Sequence, residues 1–167
     1  RLGGPAGRVV GTDISPGMLE VARERAAELG LGNVEFHEMD AEALDLPESS
    51  FDAVLCRFGL MFLPDVDRTM VGIRRLLVPG GRFAASVWGP PERVPMNSVT
   101  FGAVARVLEL PPPASGTPGL FSLADADALA GKLTAAGFAE VHTETLLVRF
   151  EFDSLDEYVL FLQEVAA

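Results

Sequence analysis

The stretch Val9-Val10-Gly11-Thr12-Asp13-Ile14-Ser15-Pro16-Gly17-Met18 decides the fold. An apolar pair leads into Gly11, and a carboxylate closes the run at Asp13. Ser15 and Pro16 then supply an N-cap and a first-turn proline for a helix predicted to run on through Leu29. Strand, acidic tip, helix is the order found in open α/β sheets, where ligands bind beyond the carboxyl ends of parallel strands. An acidic side chain there accepts the hydroxyl protons of a ribose. The competing reading of Asp13 is an ordinary Asx cap of the following helix.

Working outward, the helix places Met18, Ala22, Ala26 and Leu29 on one stripe, with Gly30 as its stop. Val34 to Met39 reads as a short strand ending at Asp40 and Ala41. A polar segment with Pro47 and Ser49-Ser50 delivers the chain to a buried strand, Ala53 to Phe58. Val66, Met70, Ile73 and Leu77 form the apolar face of a helix predicted to stop at Pro79-Gly80-Gly81, and Arg82 to Trp88 is the next strand. Strands alternating with helices at this spacing predict an α/β fold with a Rossmann-like, mostly parallel sheet and helices on both faces. Gly3, Gly4 and Gly7 precede a strand instead of following one, so they read as a connection and not as a phosphate loop.

Beyond Trp88 the rhythm changes. Gly89-Pro90-Pro91 breaks the chain, Asn97 to Leu108 is helical in pattern, and Pro111-Pro112-Pro113 through Pro118 is a loop. Ser122 with Asp125 predicts a capping box for a helix that Gly137 ends, residues 138–152 are strand-rich, and Ser154 with Glu157 opens a last helix. One domain spans residues 1–167, with 1–88 as its ligand-binding half and 89–167 as a lid and substrate side.

Composition narrows the partners. The chain has 167 residues, 49% of them apolar, and a formal net charge of −11. That balance repels phosphate backbones and anionic bilayers, so neither nucleic acid nor a membrane is expected as a partner. No apolar run approaches the roughly 18 to 20 residues a span needs. The single cysteine, Cys56, forms no internal disulfide, which fits a cytoplasmic protein. It reads as core and not as a nucleophile. With two scattered histidines besides, no metal site is expected. His37 and His142 read as structural strand histidines, with deprotonation of an acceptor as the alternative. No catalytic residue is assigned. Trp88, Phe101, Phe121 and Tyr158 are the aromatic candidates for an acceptor pocket, against simple packing.

Asp13 and Asp40 each close a strand, and if those strands are neighbours both carboxylates lie on one rim. As acceptor-only groups they suit ribose hydroxyls at Asp13 and an exocyclic adenine amine at Asp40, with Ile14 and Met18 against the base. A turn-forming aspartate is the other reading of Asp40.

The ordered strings VVGTDISPGMLEVARERAAELGLGNVEF, MDAEALDLPESSFDAV, CRFGLMFLPD and IRRLLVPGGRF resemble the class I S-adenosylmethionine-dependent methyltransferases, in particular the branch with the ubiquinone and menaquinone C-methyltransferases. The resemblance spans about Arg8 to Trp88. It implies S-adenosylmethionine as cofactor, a small-molecule methyl acceptor, and a cofactor site in which Asp13 holds the ribose, Ile14 and Met18 flank the adenine, and Asp40 with the Ala41 backbone meets its amine. It also implies that Arg57 lines the methionine end; a surface arginine paired with Asp65 or Asp67 is the alternative.

The chain departs from the family at its ends. The family's first strand and glycine-rich loop lie roughly twenty residues before the position of Asp13, where this chain has twelve residues. The antiparallel strand that usually closes the sheet would fall after Ala167. The expectation is therefore a fragment, incomplete at both ends. The missing strand would leave a gap of about 10 Å between the strand ending at Asp13 and the one ending near Arg57. Either those strands close up or another copy fills the vacancy, giving a homo-oligomer through exposed strand edges. Two other readings use the same features: a non-catalytic binding or assembly module, and an NAD(P)-dependent oxidoreductase, which lacks a Tyr-x-x-x-Lys pair here.

Overall fold

A computed structural model describes residues 4, 6–114 and 116–166. Among the described residues four strands and five α-helices follow one another: β1 (Val9–Asp13), α1 (Pro16–Glu28), β2 (Val34–Glu38), β3 (Phe51–Arg57), α2 (Val66–Leu76), β4 (Leu77–Ser86), α3 (Pro95–Val107), α4 (Ala126–Ala135) and α5 (Leu155–Ala166). The strands form two parallel pairs. β1 lies beside β2, with Gly11 opposite Phe36 and Asp13 opposite Glu38, and β3 lies beside β4, with Arg57 opposite Ser86. Each pair is a β-α-β unit. The units are separate two-stranded sheets among the described residues, so β1 and β3 have not closed up, and each keeps an edge without a strand.

α1 begins where expected. The Ser15 hydroxyl accepts from the Met18 amide and Pro16 opens the first turn. Its inward stripe keeps Ala22 and Ala26 of the expected one but not its two ends. Leu19 and Ala26 are buried while Met18 stands 61% exposed and Leu29 is also exposed. The spacing of the apolar positions leaves this phase open; the contact with β1 and β2 decides it. Gly11 is required there: a Cβ would come within 2.8 Å of the Phe36 ring.

The second unit carries the core. Leu60, Met61, Met70, Ile73, Leu77 and Leu123 cluster, with Val54, Cys56, Phe83, Leu129 and Phe138 packed against them. α2 is the centre of it. Asp65 caps its start by accepting from the Arg68 amide, and Met70 is wholly buried. Burial of such a side chain contributes about 1.5–3 kcal/mol. α2 ends at Leu76, earlier than Pro79-Gly80-Gly81 implied, and Leu77 already opens β4. The Pro-Gly-Gly turn is absorbed as an irregularity of the ladder: Phe51 pairs with Leu77, but Ala53 pairs with Arg82.

α4 docks on α2 through Lys132, whose Nζ lies 2.9 Å from both Asp67 carboxylate oxygens, and through Arg74, which donates to the Gly137 carbonyl. The expected Ser122–Asp125 capping box does not form. Asp125 itself caps α4, accepting from the Asp127 and Ala128 amides, while the Ser122 hydroxyl donates to the Met61 carbonyl at 2.7 Å. Ser154 does cap α5, and Glu157 answers by accepting from the Asp153 amide. Tyr158 ties α5 to α3 by donating to the Met96 carbonyl at 2.8 Å.

Two expectations about strands are corrected. β3 is not a buried strand: Val54 and Cys56 face the core, but Leu55 is 60% exposed because no described element packs on the opposite face. Residues 138–152 hold no strand, since an extended segment becomes one only by hydrogen bonding to a neighbour.

Candidate functional site

The carboxyl ends of β1 and β2 form one rim. The Met39 amide donates to the Asp13 carbonyl at 3.0 Å, which extends the ladder past Asp13 and brings Asp40 out at the same end of the same sheet. Asp13 is half-buried. Its Oδ1 accepts from the Ser15 amide at 2.8 Å, so one oxygen fixes the turn into α1, and the described hydrogen bonds leave Oδ2 free. Asp40 is built alike. Its Oδ1 accepts from the Glu42 amide at 2.8 Å and caps the short 3-10 turn Ala41–Ala43. Asp13 is therefore not the cap of α1, a place Ser15 takes, but holds the turn that leads into it, while Asp40 does cap its turn; each carboxylate is engaged through one oxygen.

Ile14 and Met18 flank this rim and are 68% and 61% exposed. Large apolar side chains beside acceptor-only carboxylates match the chemistry of an adenosine, a flat apolar ring with hydroxyl and amine donors at its ends. Gly4 and Gly7 sit before β1, where their carbonyls accept from the Asn33 amide side chain at 3.0 and 2.7 Å. They act as a connection. Gly3 lies outside the described residues.

The second rim, at the ends of β3 and β4, holds Arg57, Phe58, Ser86 and Trp88. Arg57 makes no ion pair among the described residues. Its alternative partners are engaged elsewhere, Asp65 with the Arg68 amide and Asp67 with Lys132. Phe58 has φ 56°, a conformation rare for a bulky residue. It is held there by its amide, which donates to the Ser86 carbonyl at 2.9 Å, and by its ring, which stacks on Trp88 at 4.6 Å. The Ser86 hydroxyl is buried without a hydrogen-bond partner. Sequence reasoning missed Phe58 and Ser86; the only local signal was their position at strand ends.

The remaining candidates do not converge. Tyr158 sits between α3 and α5, Trp88 belongs to the second rim, and Phe101 is exposed on α3. His37 lies on the exposed face of β2, 3.6 Å from Glu35. The strongest electrostatic perturbation is at the opposite end of the β1–β2 sheet from the rim. There the Arg8 guanidinium makes two hydrogen bonds to Glu35, at 2.8 and 2.9 Å, and holds that carboxyl down to about 2. No group of His, Cys, Asp and Glu among the described residues is arranged to hold a metal ion, and no described helix is long and apolar enough to cross a membrane.

Parallel β-α-β units flanked by helices define a Rossmann-like α/β class of protein. Residues 1–85 match the family described as methyltransferase domain. The chain belongs to that family, among the class I S-adenosylmethionine-dependent methyltransferases. It is 39% identical over 100 residues to the ubiquinone/menaquinone biosynthesis C-methyltransferase UbiE of Pasteurella multocida, covering 59% of this chain and 37% of the relative. Among solved structures it is similar to the YcgJ protein of Bacillus subtilis (TM-score 0.59, 26% identity, 79% of this chain and 53% of that one). It also shares the fold of the phosphoethanolamine N-methyltransferase 2 of Haemonchus contortus, solved with S-adenosyl-L-methionine (TM-score 0.57, 24% identity, 80% of this chain and 28% of that one). The chain thus spans well under half the length of the UbiE relative.

Proposed function

We propose that this chain carries the adenosine-binding part of an S-adenosylmethionine-dependent methyltransferase that acts on a small-molecule acceptor. The observation that carries the reading is the shared rim of Asp13 and Asp40. The free Oδ2 of Asp13 accepts from the ribose hydroxyls, and Asp40 with the Ala41 backbone meets the adenine amine. Ile14 and Met18 cover the two sides of the base, and Arg57 lines the methionine end from the second rim. When bound, S-adenosylmethionine supplies a methyl group already activated on a sulfonium. The protein's part is then to hold the acceptor in line and to exclude water. The net charge of −11 disfavours nucleic acid and anionic membrane surfaces as partners. The setting is cytoplasmic, and copies associate through strand edges.

A second reading has an observation of its own. The two rims belong to separate sheets, with no strand between β1 and β3 among the described residues, which favours a binding or assembly module without catalysis. Titration calorimetry with S-adenosylhomocysteine separates the two. Micromolar binding that Asp13→Asn weakens supports the cofactor site; a folded protein that takes up no heat of binding leaves the module reading. Tighter binding of a nicotinamide dinucleotide would overturn both in favour of an oxidoreductase.

A further inference from the structure

α2 begins without the usual partner for the amide of its cap residue. In a capping box the third helical residue is a Glu or Gln whose side chain reaches back to the N–H of the cap. In α2 that position is Arg68, which only donates its own amide to the side chain of the cap residue Asp65. The Asp65 amide is served instead by the Glu42 carboxylate, from 23 residues away in the chain. A negative charge at that place also complements the positive end of the α2 dipole. The capping box of α2 is thus closed by another part of the fold.

Glu42 belongs to the short turn Ala41–Ala43 and is engaged twice. Its backbone N–H donates to Asp40 Oδ1 at 2.8 Å, and its side chain accepts from Asp65. One residue therefore links the Asp40 carboxylate of the first rim to the start of α2. Beyond the turn a second tie runs to the far end of the same helix, where Arg75 donates to the Leu44 carbonyl at 3.1 Å. The turn has little rigidity of its own. A single backbone bond closes it, from the Ala43 amide to the Asp40 carbonyl at 3.0 Å, and one isolated turn of helix is marginal without outside support.

We propose that Glu42 is a positioning residue for the adenine end of the cofactor site. Its carboxylate is engaged with α2, so it acts through Asp40. The tie to the Asp65 amide fixes the turn, the Glu42 amide fixes Asp40 Oδ1, and the direction of the other Asp40 oxygen is set before a ligand arrives. Ordering a loose turn and its carboxylate at the moment of binding would cost affinity; the tie to α2 orders them beforehand. The effect is confined to one end of the nucleoside, because Asp13 is held by the Ser15 amide and shares none of these bonds. Every bond in the relay lies between Asp40 and Arg75. The inference rests on the reading of Asp40 as the partner of the adenine amine.

The test is titration calorimetry of the 167-residue chain and its Glu42→Ala and Glu42→Gln variants, with thermal melts as the check on folding. Two ligands are compared: S-adenosylhomocysteine and its 6-deamino analogue, in which hydrogen replaces the adenine amine. Glutamine keeps a side-chain oxygen for the Asp65 amide, and alanine does not. The parent chain should prefer S-adenosylhomocysteine by about tenfold or more, the effect of one hydrogen bond to a charged group. Glu42→Ala should raise the dissociation constant of S-adenosylhomocysteine about tenfold and leave that of the analogue within about twofold, while Glu42→Gln stays within about threefold of the parent for both.

A Glu42→Ala chain that binds both ligands as the parent does refutes the positioning role. So does one that loses both alike, or Glu42→Gln failing to restore the preference, since either makes Glu42 a general support of the fold. A parent chain that binds S-adenosylhomocysteine without preference over the analogue overturns this inference and the role of Asp40 while leaving Asp13 in place. A parent chain that binds neither ligand overturns the cofactor reading itself and this inference with it.

Discussion

Replacing Asp13 by asparagine tests the proposed site at one atom. In the structure Oδ1 accepts from the Ser15 amide at 2.8 Å. Asparagine keeps a carbonyl oxygen for that bond, so the turn into α1 and the N-cap at Ser15 should survive. At the position of Oδ2, however, the variant presents an NH2, a donor facing hydroxyl donors, and the negative charge is gone. A hydrogen bond to a charged group contributes about 1.5–3 kcal/mol. With 1.4 kcal/mol per factor of ten, the dissociation constant for S-adenosylhomocysteine should rise roughly ten- to 150-fold. The melting temperature of the free protein should move little. Asp40→Asn should weaken binding by an independent increment, because it meets the far end of the same nucleoside, and the two losses should add. Calorimetry gives the binding constants and a thermal melt the control. Binding by Asp13→Asn within threefold of the parent would refute the ribose role. Loss of binding accompanied by a collapsed melt would mean that the carboxylate acts only by holding the turn into α1.

Other consequences concern the frame of the site. Met70→Ala, at a wholly buried position of the core, should cost about 2–5 kcal/mol in urea unfolding, and a loss under 1 kcal/mol would contradict the packing described. Gly11→Ala should destabilise by about 1–3 kcal/mol and shift the Phe36 ring signals in NMR, since the new methyl meets that ring. Lys132→Ala removes an exposed ion pair and should change stability by less than about 1 kcal/mol in the same assay. The Glu35 carboxyl is held down to about 2 by the Arg8 hydrogen bonds. Because its folded value lies below the unfolded one, its stabilising contribution is complete above the unfolded value near 4.5 and fades as pH falls toward 2. NMR titration should find that midpoint near 2 in the parent chain and back in the ordinary carboxylate range in Arg8→Ala.

The local elements were readable in the chain. Ser15-Pro16 announces α1, the four-three-four spacing of Val66, Met70, Ile73 and Leu77 announces α2, and Ser154 with Glu157 announces α5. Each is set by residues within a turn or two of one another, through caps, fixed φ angles and periodic apolar faces. The rim of the candidate site was readable for the same reason: a strand ending in aspartate carries its own polarity, and the short α1 crossover makes β1 and β2 parallel neighbours.

What tertiary structure decided is whatever depends on a distant partner. Leu19 instead of Met18 faces inward because β1 and β2 set the rotation of α1. Leu77 leaves the helix because Phe51 offers it a ladder. Phe58 adopts a positive φ because Ser86 and Trp88 hold it. Leu55 and residues 141–152 remain uncovered, although their patterns read as strand, because hydrogen bonds between strands and burial of a sheet face need a neighbour that no local pattern supplies. A chain encodes the propensity of each segment within itself; whether a strand becomes an interior or an edge is a property of the assembly around it.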